Sequence, residues 1–248
     1  MIQIDIFMKI VLQKFIAESG YCSRRKAEEL IRSGKIFVNG EKAYVGSRVG
    51  QEDEIKVGGQ VLRRKEKIYI ILNKPQGYVC TNRKFQGEKN VFDLLVDYKN
   101  GKLNEKLFVV GRLDKMSEGL VLLTNDGELA QQVTHPKHEH EKKYLVEVRN
   151  LKLKIKELIN IFQRGVDIGE GDGVVKIKKI KHLSTVSQIQ EKIKFEIILT
   201  EGKKRQIRRM FKIFGGEIVS LKRISIGKIE IGNLKSGEWK CIDFDNFR

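Results

Sequence analysis

Proline is scarce: Pro75 and Pro136 are the only two in 248 residues, and both fall between patterned segments. Regular structure is therefore unobstructed along the chain. Cysteine is as scarce. Cys22, Cys80 and Cys241 are widely spaced, no C-x-x-C occurs, and the odd count offers no disulfide framework. A reducing cytoplasm is the expected setting. No apolar run approaches the roughly 18 residues that a membrane helix requires. Met1–Phe7 has no basic start and holds Asp5 inside its apolar stretch, which makes a poor secretion signal. Residues 1–8 are read as an extension, with Met8 just before a better start. Glycine loops of the Walker or dinucleotide kind are missing, as is a G-x-S-x-G serine elbow. His135, His138 and His140 have neither a cysteine nearby nor a zinc-ligand spacing, so no metal is expected.

Acids are short as well, 32 against 49 Lys+Arg, for a formal net charge of +17. A basic, non-membrane chain usually meets a polyanion, and nucleic acid is the expected partner. The bland alternative is lysine solvating a compact surface.

Residues 9–66 read as a small α+β module. Ile10, Leu12, Phe15 and Ile16 have near-helical spacing before Gly20. Ser23 caps a second helix that ends at Gly34. Lys35–Val38 alternates like a strand, and Asn39-Gly40 is a tight-turn signal. Arg63–Lys67 is charged and without apolar residues, as a linker would be. Residues 67–248 form a second region. Strands are expected at 68–72, 78–81, 108–110, 120–124, 144–148, 174–180 and 193–200, with helices at 91–96, 127–134, 151–163 and 203–214. The mixture predicts an α+β domain on a mixed, mainly antiparallel sheet with flanking helices.

Three segments carry chemistry-bearing residues. Gly111–Gly119 (GRLDKMSEG) joins two apolar strands, so Arg112 and Asp114 sit on a loop at strand ends. The plain alternative is a turn capped by Asp114. His140–Val148 places Tyr144, Val146 and Val148 on one strand face, where a tyrosine is usually a packing ring. Gly202–Lys212 gathers Lys203, Lys204, Arg205, Arg208, Arg209 and Lys212 on one expected helix with no acid among them. Such crowding favours an anionic partner over a merely solvated face.

Four blocks in order, Asn73–Thr81 (NKPQGYVCT), Val110–Ala130 (VGRLDKMSEGLVLLTNDGELA), His135–Val148 and Thr200–Phe211 (TEGKKRQIRRMF), resemble the RsuA/RluB/RluE/RluF pseudouridine synthases. Residues 9–66 resemble an S4 RNA-binding domain. The resemblance spans nearly everything after Met8 and implies no cofactor and no metal. It implies Asp114 as the catalytic aspartate, Tyr144 as the active-site tyrosine and Arg208 as its basic partner, expected to pair with Asp114. Leu221 is the candidate apolar residue of the uracil pocket, and Arg112 and Lys74 are expected to bind substrate. In the S4-like module Arg24, Arg25, Lys26, Lys35 and Lys42 are expected to touch RNA, and beyond it Lys203, Lys204, Arg205 and Arg209. Val91–Leu94 and Asp126–Ala130 are closest to the RluB type, which implies large-subunit ribosomal RNA as substrate, a small-subunit target being the alternative. A non-catalytic RNA-binding assembly factor would share the charge and the S4-like module; the joint presence of Asp114, Tyr144 and Arg208 favours the enzyme. A monomer in the cytoplasm is expected.

Overall fold

The computed structural model describes residues 9–83, 85–95, 106–135, 137, 139–186 and 192–243. The extension at residues 1–8, His138 and the end of the helix expected at 91–96 lie outside them. The chain divides into two compact units. The first holds the chain up to Ile68 and also Asn125–Gly127. Asn125 belongs with it because its amide donates to the Glu66 carbonyl at 2.7 Å and accepts from the Ile68 N–H at 2.8 Å.

The first unit runs β1 (Ile10–Val11), α1 (Leu12–Glu18), α2 (Arg24–Arg32), β2 (Ile36–Val38), β3 (Glu41–Lys42), β4 (Arg48–Val49), β5 (Ile55–Val57) and β6 (Gln60–Leu62). The Ser23 hydroxyl caps α2 by accepting from the Lys26 N–H. Asn39 and Gly40 both adopt positive φ, and so turn β2 into β3. Helix α1 starts later than its periodicity suggests because Ile10 and Val11 pair with Val49 and Arg48. Leu12, Phe15, Ile16, Ala27, Ile31, Ile36 and Ile55 form its core.

The second unit is built on a mixed sheet. Its long strands are β7 (Tyr69–Lys74), β11 (Glu118–Thr124), β12 (Lys142–Arg149), β15 (Lys179–Val186), β16 (Lys192–Leu199) and β17 (Glu217–Ile226). Shorter strands are β8 (Tyr78–Val79), β9 (Lys89–Asn90), β10 (Phe108–Val110), β13 (Val166–Asp167), β14 (Val174–Val175), β18 (Ile229–Glu230) and β19 (Trp239–Cys241). Helices α3 (Gly127–Thr134), α4 (Ile155–Arg164) and α5 (Gln206–Ile213) intervene. The sheet order is β15-β16-β12-β17-β11-β7-β19, with β10 beside β11 and β18 beside β17. Among the described residues only the β11–β17 pairing in this sheet is parallel. The expected strand at 174–180 is two strands, β14 and β15, and β17, the longest, carries no clean apolar alternation to announce it.

Opposed residues in a ladder share a face. Tyr144 pairs with Ile197 and Arg223, and Val146 with Phe195 and Leu221. These side chains thus line one face of the sheet. Phe211 of α5 packs there against Phe195, with Phe162 of α4 edge-on to Phe211 at 5.0 Å. The parallel contact needs Gly119: it holds φ +102°, and a Cβ there would collide with the Arg223 carbonyl and lie 2.7 Å from its amide nitrogen. Among the described residues no helix is long and apolar enough to cross a membrane.

Candidate active site

A cavity of about 1290 Å3 opens on the face where Tyr144 and Leu221 lie. Asp114, Arg112, Tyr144, Leu221, Lys203, Lys204 and Arg205 all line it. The fold has thus brought residues from β12, β17, the β10–β11 loop and the start of α5 into one space. Tyr144 and Leu221 are buried, Asp114 is half-buried, and Arg112 is exposed.

The loop that carries Asp114 is braced by three cations. At its start Arg223 donates to the Gly111 carbonyl, while its Nε donates to Leu120 O at 2.8 Å. At its end the Lys74 ammonium donates to the carbonyls of Pro75, Lys115 and Ser117. From α5, Arg208 donates to Met116 O at 2.8 Å and to Ser117 Oγ at 3.3 Å. The turn closes on itself through Ser117 N–H to Asp114 O at 3.0 Å. Carbonyls turned toward cations fix the loop, and two of these cations, Lys74 and Arg208, feel the charge of Asp114.

Burial sets the electrostatics. It pushes the Lys74 ammonium from 10.5 down to about 8, against the pull of Cys80, Glu118 and Asp114. Burial lowers Arg208 too, opposed by the charge of Asp114. Lys142, on the cavity wall, is lowered by burial and by the neighbouring charge of Arg223. Burial pushes the Cys80 thiol up. Among the described residues no cluster of three or more His, Cys, Asp or Glu could hold a metal; His135 and His140 line the cavity separately.

Several expectations change. Lys74, expected to bind substrate, is fully buried, donates its ammonium to backbone carbonyls and is not among the residues lining the cavity. Arg208 spends its hydrogen bonds on the loop. Its charge and that of Asp114 interact through space, without the expected forked pair, and its Nε is buried with no hydrogen-bond partner among the described residues. The basic segment is only half helical. Lys203, Lys204 and Arg205 precede α5, with Arg205 left-handed at its N-cap, so Arg205 and Arg208 do not share a helix face. Arg209 is not available to phosphate: its guanidinium bonds Ile168, Gly169, Lys204 and Asp172. Sequence reading missed Arg223 and Gln206. Gln206 staples the basic loop by donating to Glu201 and accepting from the Lys203 N–H. Arg223 was findable only through β17: it lies two residues from Leu221, hence on the same face.

In the first unit, Arg24, Arg25 and Lys26 occupy the first turn of α2 and are exposed, as are Lys35 and Lys42. Lys26 is paired with Glu29 at 2.7 Å.

Both parts of the chain are similar to known protein domains. A family model described as RNA pseudouridylate synthase matches residues 68–212, and an S4 domain model matches residues 12–55. The chain is 39% identical over 228 residues to ribosomal large subunit pseudouridine synthase B of Bacillus subtilis (strain 168), covering 92% of this chain and 89% of that protein. It is 38% identical to the dual-specificity RNA pseudouridine synthase RluF of Escherichia coli (strain K12), covering 94% of this chain and 76% of that one. A crystal structure of a pseudouridylate synthase superposes with a TM-score of 0.62 at 30% identity, covering 95% of this chain and 97% of the other. A braced aspartate loop over a tyrosine-lined cavity, the family match over more than half the chain and these relatives together place the chain in the RNA pseudouridylate synthase family, as an isomerase that carries an S4 domain ahead of its synthase domain.

Proposed function

We propose that the chain converts a uridine of ribosomal RNA, in the large subunit, to pseudouridine, with Asp114 as its catalytic carboxylate. The observation that carries this reading is the convergence of Asp114, Tyr144 and Leu221 on one cavity, from three separate segments. The reaction breaks the bond from the sugar to N1 of uracil, turns the base and joins the sugar to C5. The C5 proton leaves and N1 gains one, so the net change is an isomerisation that needs no co-reactant. A carboxylate beside the sugar or base is required, either attacking or accepting the proton. Arg208, Lys74 and Arg223 hold its loop in place for that. Tyr144 and Leu221 offer the turning base an aromatic and an aliphatic surface, and the tyrosine hydroxyl is suited to proton transfer. Arg112, at the exposed edge of the cavity, is suited to the RNA backbone.

A stacked uridine cannot enter such a cavity, so it must be extruded, at a cost of a few kcal/mol. Phosphate contacts from Lys203, Lys204 and Arg205 at the mouth offset that cost, as do those of the S4 module through Arg24, Arg25, Lys26, Lys35 and Lys42. The first unit, taken as residues 9–66, is the docking module, and residues 67–248 the catalytic one. The enzyme works as a monomer in the cytoplasm. Similarity to RluF, whose name records dual specificity, favours a second reading in which more than one RNA is modified.

Pseudouridine mapping of both ribosomal RNAs, from cells with and without the gene, tests the assignment. One large-subunit site should vanish and return with the wild-type gene. It should not return with Asp114→Asn, whose rate should drop by about a thousandfold or more. Robust modification by the Asn variant would remove Asp114 from the chemistry.

A further inference from the structure

Lys142 opens β12 two residues before Tyr144, so both side chains fall on the face that floors the cavity. Its ammonium donates to His140 O at 3.2 Å and to Thr200 O at 3.3 Å. Across the ladder from Tyr144 lies Arg223, put there by a break in register. Lys143 pairs with Ser225, but Tyr144 pairs with Arg223, so Ile224 is an extra residue in β17. In an unbroken register Ile224 would oppose the tyrosine; the bulge turns a guanidinium to that place instead. Two cations thus sit beside Tyr144 on the floor of the cavity.

Positive charges withdrawn from water are costly unless an anion answers them. Burial, and then the charge of Arg223, disfavours the Lys142 ammonium; Glu201 offsets this only through space, while its carboxylate accepts from Gln206. Among the described residues neither Lys142 nor Arg223 forms an ion pair. Arg223 spends its donors on the carbonyls of Leu120 and Gly111. Lys142 keeps one donor beyond its two carbonyl bonds. Lys203, Lys204 and Arg205 at the mouth suit phosphates, but the floor is where the base goes, and that base is not neutral throughout the reaction. When the C1′–N1 bond breaks, its electron pair stays with uracil. This holds whether Asp114 bonds to C1′, or takes the C2′ proton and leaves a C1′–C2′ double bond. The departing ring therefore carries one negative charge, shared among N1, O2 and O4. Joining C5 to C1′ consumes it: the Asp114 bond breaks or the C2′ proton returns, the C5 proton leaves, and N1 gains one.

We propose that Lys142 is a catalytic cation. It donates a hydrogen bond to a carbonyl oxygen of the uracil ring and stabilises the negative charge that appears there as the glycosidic bond breaks, keeping its own proton. The proposal rests on the reading of the cavity as a uridine site. A charge already fixed at the floor costs no reorganisation at the moment the bond breaks, which offsets the cost of holding it there.

The test uses the full-length enzyme and a ribosomal RNA fragment containing the mapped uridine, with uridine or 5-fluorouridine at that position. Lys142→Met should lower the single-turnover rate at saturating RNA about a hundredfold. The RNA concentration giving half-maximal rate should stay within about twofold, unlike the loss of a phosphate contact. Lys142→Gln keeps a donor for the carbonyls and loses only the charge, and should be about as slow; Lys142→Arg should recover part of the rate. Neither neutral variant should lower the melting temperature, since each relieves the burial of a charge. Fluorine withdraws electrons, so 5-fluorouracil leaves more readily and needs less outside help. On that RNA, followed as loss of the target nucleoside, the deficit of both neutral variants should shrink to about tenfold or less. A wild-type rate in Lys142→Gln would mean that Lys142 only ties carbonyls together, and the proposal is wrong. Equal slowing on both RNAs would mean a displaced Tyr144 and would overturn it as well. A wild-type enzyme inactive on every ribosomal RNA would instead sink the uridine reading, and the role of Lys142 with it.

Discussion

Arg208 illustrates how a catalytic neighbourhood can be built from backbone. Its guanidinium grips Met116 O and Ser117 Oγ, two and three residues past Asp114, and leaves Nε buried with no partner among the described residues. Removing it should loosen the loop and strip a positive charge from beside the carboxylate. Arg208→Ala should therefore lose about a hundredfold in single-turnover rate at saturating RNA. Arg208→Lys should retain part, since charge survives while the fork is lost. Arg205→Ala, at the N-cap and facing the cavity mouth, should change mainly the RNA concentration required. A larger rate loss for Arg205→Ala would mean that the wrong arginine has been chosen. Lys74 adds a pH dependence. Below about 8 its ammonium offers three donors to three carbonyls; above that it is neutral and offers two. Turnover should fall as pH rises through about 8. The unfolded chain, with the ordinary value of 10.5, holds more protons between about 8 and 10.5, so this group's contribution to stability rises across that window. Loss of turnover without an earlier melting transition would mark positioning, whereas parallel loss of both would refute it.

Elements extend the reasoning. Strands β11 and β17 approach in parallel at Gly119, where the backbone of the neighbouring strand occupies the space a side chain would need. Gly119→Ala should cost about 2–4 kcal/mol from left-handed strain and overpacking together. In a chain of this size that lowers the melting temperature by several degrees, readable by calorimetry. A near-neutral effect would mean that the two strands separate easily. Helix α2 shows the reverse economy. Its first turn carries Arg24, Arg25 and Lys26 and no acid, although the helix dipole disfavours cations there. Arg25→Glu should therefore stabilise the protein by roughly 0.3–1 kcal/mol while weakening RNA binding. A variant gaining affinity would exclude this turn from the RNA surface.

Across the whole molecule the charge of +17 is divided between two units, with clusters at α2 and at the start of α5. If both meet phosphates, log affinity should fall linearly with log salt at about 0.7–0.9 per contact. Arg25→Glu should flatten that line, and a profile flat from low to physiological salt would leave these charges merely solvated.

The sequence by itself determined what local rules control. Ser23 and Gly34 bound α2, Asn39-Gly40 forms its turn, and alternation reveals β12 and β16, because caps, turns and faces depend on residues a few positions apart. It also placed Asp114 on a loop between strands and Tyr144 on one strand face with Val146 and Val148. Tertiary structure alone decided which cations do what. Whether Lys74 faces substrate or backbone depends on Lys115 and Ser117, more than forty residues away. Whether Arg209 meets phosphate or a hairpin depends on Ile168 and Asp172. Arg223 gains its role only because β17 lies parallel to β11, a pairing that no nearby residue encodes. A long cationic side chain can satisfy itself in water, on a carbonyl or on an anion, and only the packed neighbours determine which of these is within reach.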